Sequence, residues 1–501
     1  MISGRPLQSA LAAAAALLGL VVLGNGWVSD DAFITLRSVG RVLQGDGFTW
    51  NVGERVQVFT HPLWAMLLVP TLAIVRSGWW AALLLGLATT AAFAETLRRQ
   101  ATTGALLALL LLFGSRAFVD YSTSGLENPL LHLLLLLVVL PGSTRRATWA
   151  GGLLLLTRLD VAPLLLPILA GRLWADRRAG ADLRTTVAGL SRLAGPASLW
   201  MGFSLFYFGA LLPNSALAKL GAGVPKSEVV AQGWHYLLAS ATADPAGAAL
   251  IALGIVLAAL RPEARWVALG LTAHLGYLVW AGGDFMLGRF VTVDMAVAAA
   301  LLAQTRPTMR WAGAGAAVAA VCVALAPFPT WRSPTHGTGG EPDSFIDERG
   351  VADERRYYTP GSALVGWRPG LSMPDHRFRW RAAELTRDRP VSPTGVGMTG
   401  FFGPDLAIVD TTGVADPFLA RLPARDGSRR PGHLYRQLPH GYRHWFDEPL
   451  CDLRTWDNDD LCDDVRRVSR GPLLAPGRGG AIVRILRGDL HQVLGRPRPE
   501  N

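Results

Sequence analysis

Two carboxylates stand side by side at Asp30 and Asp31, directly after the first long apolar run, in the stretch Trp27-Val28-Ser29-Asp30-Asp31-Ala32-Phe33-Ile34. Ionisable groups at a membrane edge are costly and mark functional sites, usually with a partner nearby. A carboxylate placed there can take the proton of an attacking hydroxyl. Two carboxylates close together repel, which raises the pKa of one and favours a shared role. The alternative is a helix cap, since Asp is a favoured N-cap residue. One cap accounts for one Asp, not for both beside the return to the membrane at Thr60-His61-Pro62-Leu63-Trp64.

The elements that must position them are membrane helices. The chain has 501 residues, half of them hydrophobic, and its mean hydropathy is positive. That excludes an ordinary soluble domain and implies a multi-span membrane protein. Apolar segments run from residue 8 to 328, several of them shorter than the ~20 residues of a perpendicular span. From Pro329 onward the chain is rich in Arg, Asp, Gly and Pro and carries no spanning run. Two parts are expected: residues 1–328 as a transmembrane catalytic part with an external loop at 28–60, and residues 329–501 as a soluble part.

Orientation follows from arginine asymmetry. Arg98 and Arg99, Arg145 and Arg146, the cluster from Arg172 to Arg192, Arg261 and Arg265, and Arg306 and Arg310 all flank apolar segments. With these inside, the 28–60 loop, 119–128, the hinge at 158–160, 213–246, 282–289 and the tail fall outside. The parity then points to 61–75 as re-entrant or partly in the interface, the alternative being a miscounted short span such as 147–157, and leaves about 11 crossings. The fold class expected is an α-helical polytopic membrane protein with a C-terminal α+β extracytoplasmic domain. Its place is the cell inner (plasma) membrane, with the bilayer as a partner. Strands are expected at 407–410 and 481–486. The net charge of +10 suits cytoplasmic-loop arginines and anionic headgroups. No basic stripe with interleaved aromatics points to nucleic acid. Of three cysteines, Cys322 lies in an apolar segment, while Cys451 and Cys462 flank an acidic loop and could pair outside the cytoplasm.

Unusual polar residues gather on the external face. Arg37 and Arg41 follow the acidic pair at helical spacing. Glu127 lies in Thr123-Ser124-Gly125-Leu126-Glu127-Asn128, as a substrate contact or a helix cap. Asn214 and Lys219 lie in Pro213-Asn214-Ser215-Ala216-Leu217-Ala218-Lys219. The only lysines are Lys219 and Lys226; an ammonium at the surface suits a phosphate, or simply snorkels. Asp284 and Arg289 lie in Gly282-Gly283-Asp284-Phe285-Met286-Leu287-Gly288-Arg289-Phe290, as a structural pair or with Arg289 gripping an anionic headgroup. This set suits transfer of a sugar from a lipid phosphate. Asp30 and Asp31 would be the acid-base carboxylates, and Arg37, Lys219 and Arg289 would meet the departing phosphate.

The pattern Asp-Asp-Ala-Phe-Ile-Thr-Leu-Arg at 30–37, with Asn-Val-Gly-Glu-Arg-Val-Gln at 51–57 and Thr-His-Pro-Leu-Trp at 60–64, resembles the first external loop of the GT-C glycosyltransferases. With the motifs around Glu127, Asn214 and Arg289, and Thr412-Gly413-Val414-Ala415-Asp416-Pro417-Phe418, the chain is similar to bacterial arabinofuranosyltransferases over most of its length. The resemblance implies a polyprenyl-phosphate arabinofuranose donor, a cell-envelope glycan or glycoprotein acceptor, and catalytic Asp30 and Asp31. The residues expected at the donor are Arg37, His61, Glu127, Asn214, Lys219, Asp284 and Arg289. The tail motifs holding His433, His440 and Tyr442 are expected near the acceptor. No metal site is assigned, and a divalent cation is left open as a cofactor. The rival readings are a mannosyltransferase of the same superfamily, a lipid-linked sugar transporter, and a structural envelope protein.

Overall fold

The computed structural model describes residues 4–220, 222–327, 329–331, 345–425, 432–439, 442 and 459–493. Among the described residues the regular elements are helices, and β-pairing is confined to isolated bridges such as Val391 with Ile408. The chain is a helical membrane protein. Arg5–Gly24 and Gly78–Arg98 are long and apolar enough to cross a bilayer. Lys226–Ala243 and Pro245–Ala259 pass the same test together but bend by 110° at the break between them. Pro245 cannot continue a helix from the preceding turn, and the Asp244 carboxylate caps the new one through the Gly247 N–H at 2.9 Å. Shorter apolar helices include Pro62–Val75, Thr103–Gly114, Asn128–Val139 and Thr292–Ala303.

The chain forms two compact units. The first comprises Met1–Ser29, Trp79–Ala197 and Lys226–Pro374. Its centre is Thr292–Ala303, buried along its whole length, as befits a helix that is apolar on nearly every side, with its one buried carboxylate, Asp294, paired to His274 at 2.8 Å. It packs against Thr103–Gly114, Asn128–Val139 and Pro245–Ala259. Small residues permit that approach: a Cβ on Gly254 would come within 2.5 Å of the Ala298 side chain. In the same unit Trp27 donates through its indole N–H to the Asp120 carbonyl at 2.8 Å, and the Ser29 amide donates to Ser124 at 2.9 Å.

The second unit comprises Asp30–Gly78, Ser198–Pro225 and Asp375–Asn501. Here Asp30–Gln44 packs on Pro62–Val75 and on Val396–Phe402. Toward the tail, Asp459–Ser469 packs on Arg478–Val493, with Cys462, Val465, Ala481 and Ile485 in the core. The strand expected at 481–486 is therefore corrected to helix. Buried Ala481 and Ile485 lie four residues apart on one face, which is the helical period, while Arg484 points away to bind Asp464 at 2.6 Å. Short apolar runs fit either element until packing decides. Cys462 is buried and disulfide-bonded, and Cys322 is free; Cys451 lies outside the described residues.

Candidate functional site

In the second unit, Asp30 opens the Asp30–Gln44 helix and is buried. Its carboxylate does not cap its own helix. It accepts the Met398 N–H at 2.7 Å and the Gly397 N–H at 3.0 Å, the first-turn amides of Val396–Phe402, which have no partner within that helix. Position 397 must be glycine for this approach, because a Cβ there would lie 1.9 Å from the Asp30 carbonyl. Burial pushes the Asp30 carboxyl up to about 7, against the pull of the Met398 amide and with a push from Asp31. Asp31, next along the same turn, is half-buried.

Arg37 lies two turns further along and is buried. Its guanidinium donates to the carbonyls of Trp50 at 2.8 Å, Gly400 at 2.5 Å and Leu406 at 2.8 Å, and stacks 4.7 Å from the Trp50 ring. It fastens the end of Val396–Phe402 as Asp30 fastens the start. Asn51 completes this clasp, accepting the Ile408 amide at 2.9 Å and donating to Glu54 at 2.7 Å. His61 is buried beside the Thr35 hydroxyl at 2.9 Å.

A second cluster in this unit joins Asn214 to the 412–418 motif. The Asn214 amide donates to the carbonyls of Gly413 at 2.7 Å and Asp416 at 3.0 Å. Asp416 accepts the Leu419 N–H at 2.8 Å and the Tyr442 hydroxyl at 2.8 Å. Burial raises Asp416 to about 7, Glu54 adds to the rise, and the Leu419 amide and Tyr442 hydroxyl oppose it. A carboxyl raised on folding contributes stability that is full below its unfolded pKa of about 4 and is lost as the pH climbs through about 7. The protection factors of the 418–422 amides, which remove the intrinsic base-catalysed rise in exchange, should therefore fall between about pH 4 and pH 7, and Asp416→Asn should flatten that fall. Lys219 is exposed near the end of Asn214–Leu220, and His433 is half-buried. His440 lies outside the described residues.

The first unit brings three sequence-predicted residues together. Glu127 is fully buried at the N-cap position of Asn128–Val139, yet its side chain makes no cap hydrogen bond. It accepts from Arg158 at 2.6 Å and Arg289 at 3.0 Å. Arg289 also pairs with Asp284 at 3.6 Å, and Arg158 with Asp160 at 2.7 Å. Asn128 donates to the Arg289 carbonyl at 3.2 Å, which fixes the 282–290 loop on this cluster. Gly283 has φ +68°, and a Cβ there would meet Tyr236 at 2.5 Å. The result is a chain of alternating charge, Asp160–Arg158–Glu127–Arg289–Asp284, buried except at the half-buried Asp160. Sequence reasoning missed Arg158 and Asp160 as members. Their signal was the pair of opposite charges that interrupts two apolar segments at 158–160. Among the described residues, no three His, Cys, Asp or Glu side chains gather as a metal-ligand set.

A helical membrane protein with an amide-clamped Asp30 beside Asp31 and, in its other unit, an arginine–carboxylate chain is the class these features define. The chain is similar to a terminal beta-(1->2)-arabinofuranosyltransferase of Mycobacterium tuberculosis, 25% identical over 429 residues that cover 70% of this chain and 65% of the relative. It is also similar to the terminal beta-(1->2)-arabinofuranosyltransferase of Corynebacterium glutamicum, 27% identical over 324 residues that cover 54% of this chain and 46% of the relative. The chain thus spans less than two thirds of either relative's length. No family model and no solved structure matches it. The relationship to arabinofuranosyltransferases expected from the motifs is borne out.

Proposed function

We propose that the protein is a membrane glycosyltransferase that moves D-arabinofuranose from a polyprenyl-phosphate donor to a cell-envelope glycan or glycoprotein. Residues 1–328 form its transmembrane catalytic part, and 329–501 its extracytoplasmic domain. In the reaction the acceptor oxygen bonds to the anomeric carbon as the bond from that carbon to the phosphate oxygen breaks. The acceptor proton passes to Asp31, and the electron pair leaves with the polyprenyl phosphate. Asp30 is the positioning residue.

The observation that carries this reading is the double amide clamp on Asp30. It fixes the first turn of the Asp30–Gln44 helix and so sets the direction of Asp31, and a fixed base needs no reorganisation when the hydroxyl arrives. Similarity to two terminal arabinofuranosyltransferases supports the choice of sugar. The test is transfer by the purified protein from polyprenyl-phosphoryl arabinofuranose, with mannosyl and glucosyl donors in parallel. Transfer from the arabinosyl donor alone is expected. Transfer from the mannosyl donor instead would favour the rival sugar, and release from none of the three would remove the enzymatic reading.

A further inference from the structure

Within the second unit a cleft of about 490 Å³ opens between Asp30–Gln44, Pro62–Val75 and Val396–Phe402. Its polar lining includes Arg37, Arg41 and Arg76, its apolar lining Leu43, Leu72 and Phe401, and no carboxylate lines it. Arg41 is buried and held by Asp46 at 3.2 Å and by the Pro404 carbonyl. Arg76 is exposed and ends the Pro62–Val75 helix in a left-handed conformation, φ 58°. From this cleft an exposed apolar stripe runs back along Pro62–Val75 through Ile74, Ala73, Pro70 and Met66, the spacing of one helix face. A cationic end joined to an apolar stripe is complementary to an anionic amphiphile lying at a membrane surface.

We propose that this cleft binds an anionic bilayer phospholipid, with the headgroup phosphate on Arg76 and Arg41 and an acyl chain along the Ile74–Met66 stripe. The occupant is not the sugar donor. Arg41 lies ten residues beyond Asp31 on one helix, a rise of about 15 Å, and its bonds to Asp46 and Pro404 aim it away from the acidic end. A donor phosphate is one bond from the carbon under attack, so it cannot rest here while Asp31 serves that carbon. The inference goes beyond the proposed reaction and does not depend on it.

The experiment is native mass spectrometry of the full chain in detergent with dioleoyl phosphatidylglycerol, dioleoyl phosphatidylcholine, polyprenyl phosphate or inorganic phosphate added. Wild type should retain phosphatidylglycerol in preference to the other three. Arg76→Glu should weaken that retention. Arg76→Gly removes the charge while relaxing the left-handed position, so its folding should hold, and retention should fall about fivefold, from ~1 kcal/mol per basic group at the surface. Equal retention of phosphatidylcholine, displacement of phosphatidylglycerol by polyprenyl phosphate or by inorganic phosphate, or unchanged retention by Arg76→Gly would each overturn the proposal.

Discussion

Asp31→Asn is expected to lower turnover by about 10²- to 10⁴-fold, the usual contribution of a positioned acid–base group. Its KM for the lipid donor should change little, because the carboxylate is proposed to act on the acceptor's proton and not on the donor phosphate. An amide cannot take that proton, yet it has the size of the acid, so the half-buried position accommodates it. Asp30→Asn should behave differently. An amide can accept from one of the Gly397 and Met398 N–H groups but presents its own donor to the other. The expected result is about 1–3 kcal/mol of lost stability from the unsatisfied buried group, with turnover falling because the first helical turn loosens. Steady-state kinetics on both variants, with thermal unfolding in detergent alongside, separates the two roles.

Glu127→Ala is expected to cost more stability than any other single change considered. One carboxylate oxygen receives both Arg158 and Arg289, and neither arginine is solvent-exposed. Forming such a cluster gains little net energy, because burying the ions offsets much of their attraction. Removing the shared acid leaves the desolvation cost in place and takes away the central attraction, with Arg158 left on Asp160 and Arg289 on Asp284, and the two guanidinium groups then repel across a vacant site. Loss of one partner from a buried ion pair typically costs about 3–5 kcal/mol. Thermal unfolding of the variant in detergent should show this as a large drop in Tm and a reduced folded yield. Glu127→Gln keeps the shape and one acceptor oxygen, so it should recover part of the loss. Equal Tm for Glu127→Ala and wild type would mean that the arginines are held by other groups.

Much of the helical architecture was legible because membrane helices announce themselves through long apolar runs. Arg5–Gly24 and Gly78–Arg98 are of this kind. Ala481–Leu486 was not, since six apolar and basic residues suit a strand as well as a helix until Asp459–Ser469 supplies a partner face. At the site, residue type identified Glu127, Asp284 and Arg289, because charges between leucine-rich segments are conspicuous. What the sequence could not convey is which group each charge meets. Arg37 looked like a free cation for phosphate, but its N–H groups reach main-chain carbonyls at 400, 403 and 406, more than three hundred and sixty residues away. Asp30 and Asp31 look equivalent as letters. Only the return of Gly397 and Met398 distinguishes them, and that return is a long-range contact with no local periodicity behind it. Tyr442 likewise stood out as a polar aromatic in a tail motif, and its tie to Asp416 depends on tertiary packing.

The most direct measurement of the central claim is a single-turnover experiment on purified wild type and Asp31→Asn, both saturated with polyprenyl-phosphoryl arabinofuranose and then mixed with acceptor. Donor occupancy and polyprenyl-phosphate release would be read from the same samples. Expected is equal occupancy in the two proteins, with one polyprenyl phosphate released per sugar transferred by wild type and release slowed at least a hundredfold, about 10², in the variant. Equal release by both proteins at equal occupancy would contradict the assignment of Asp31 as the group that accepts the hydroxyl proton.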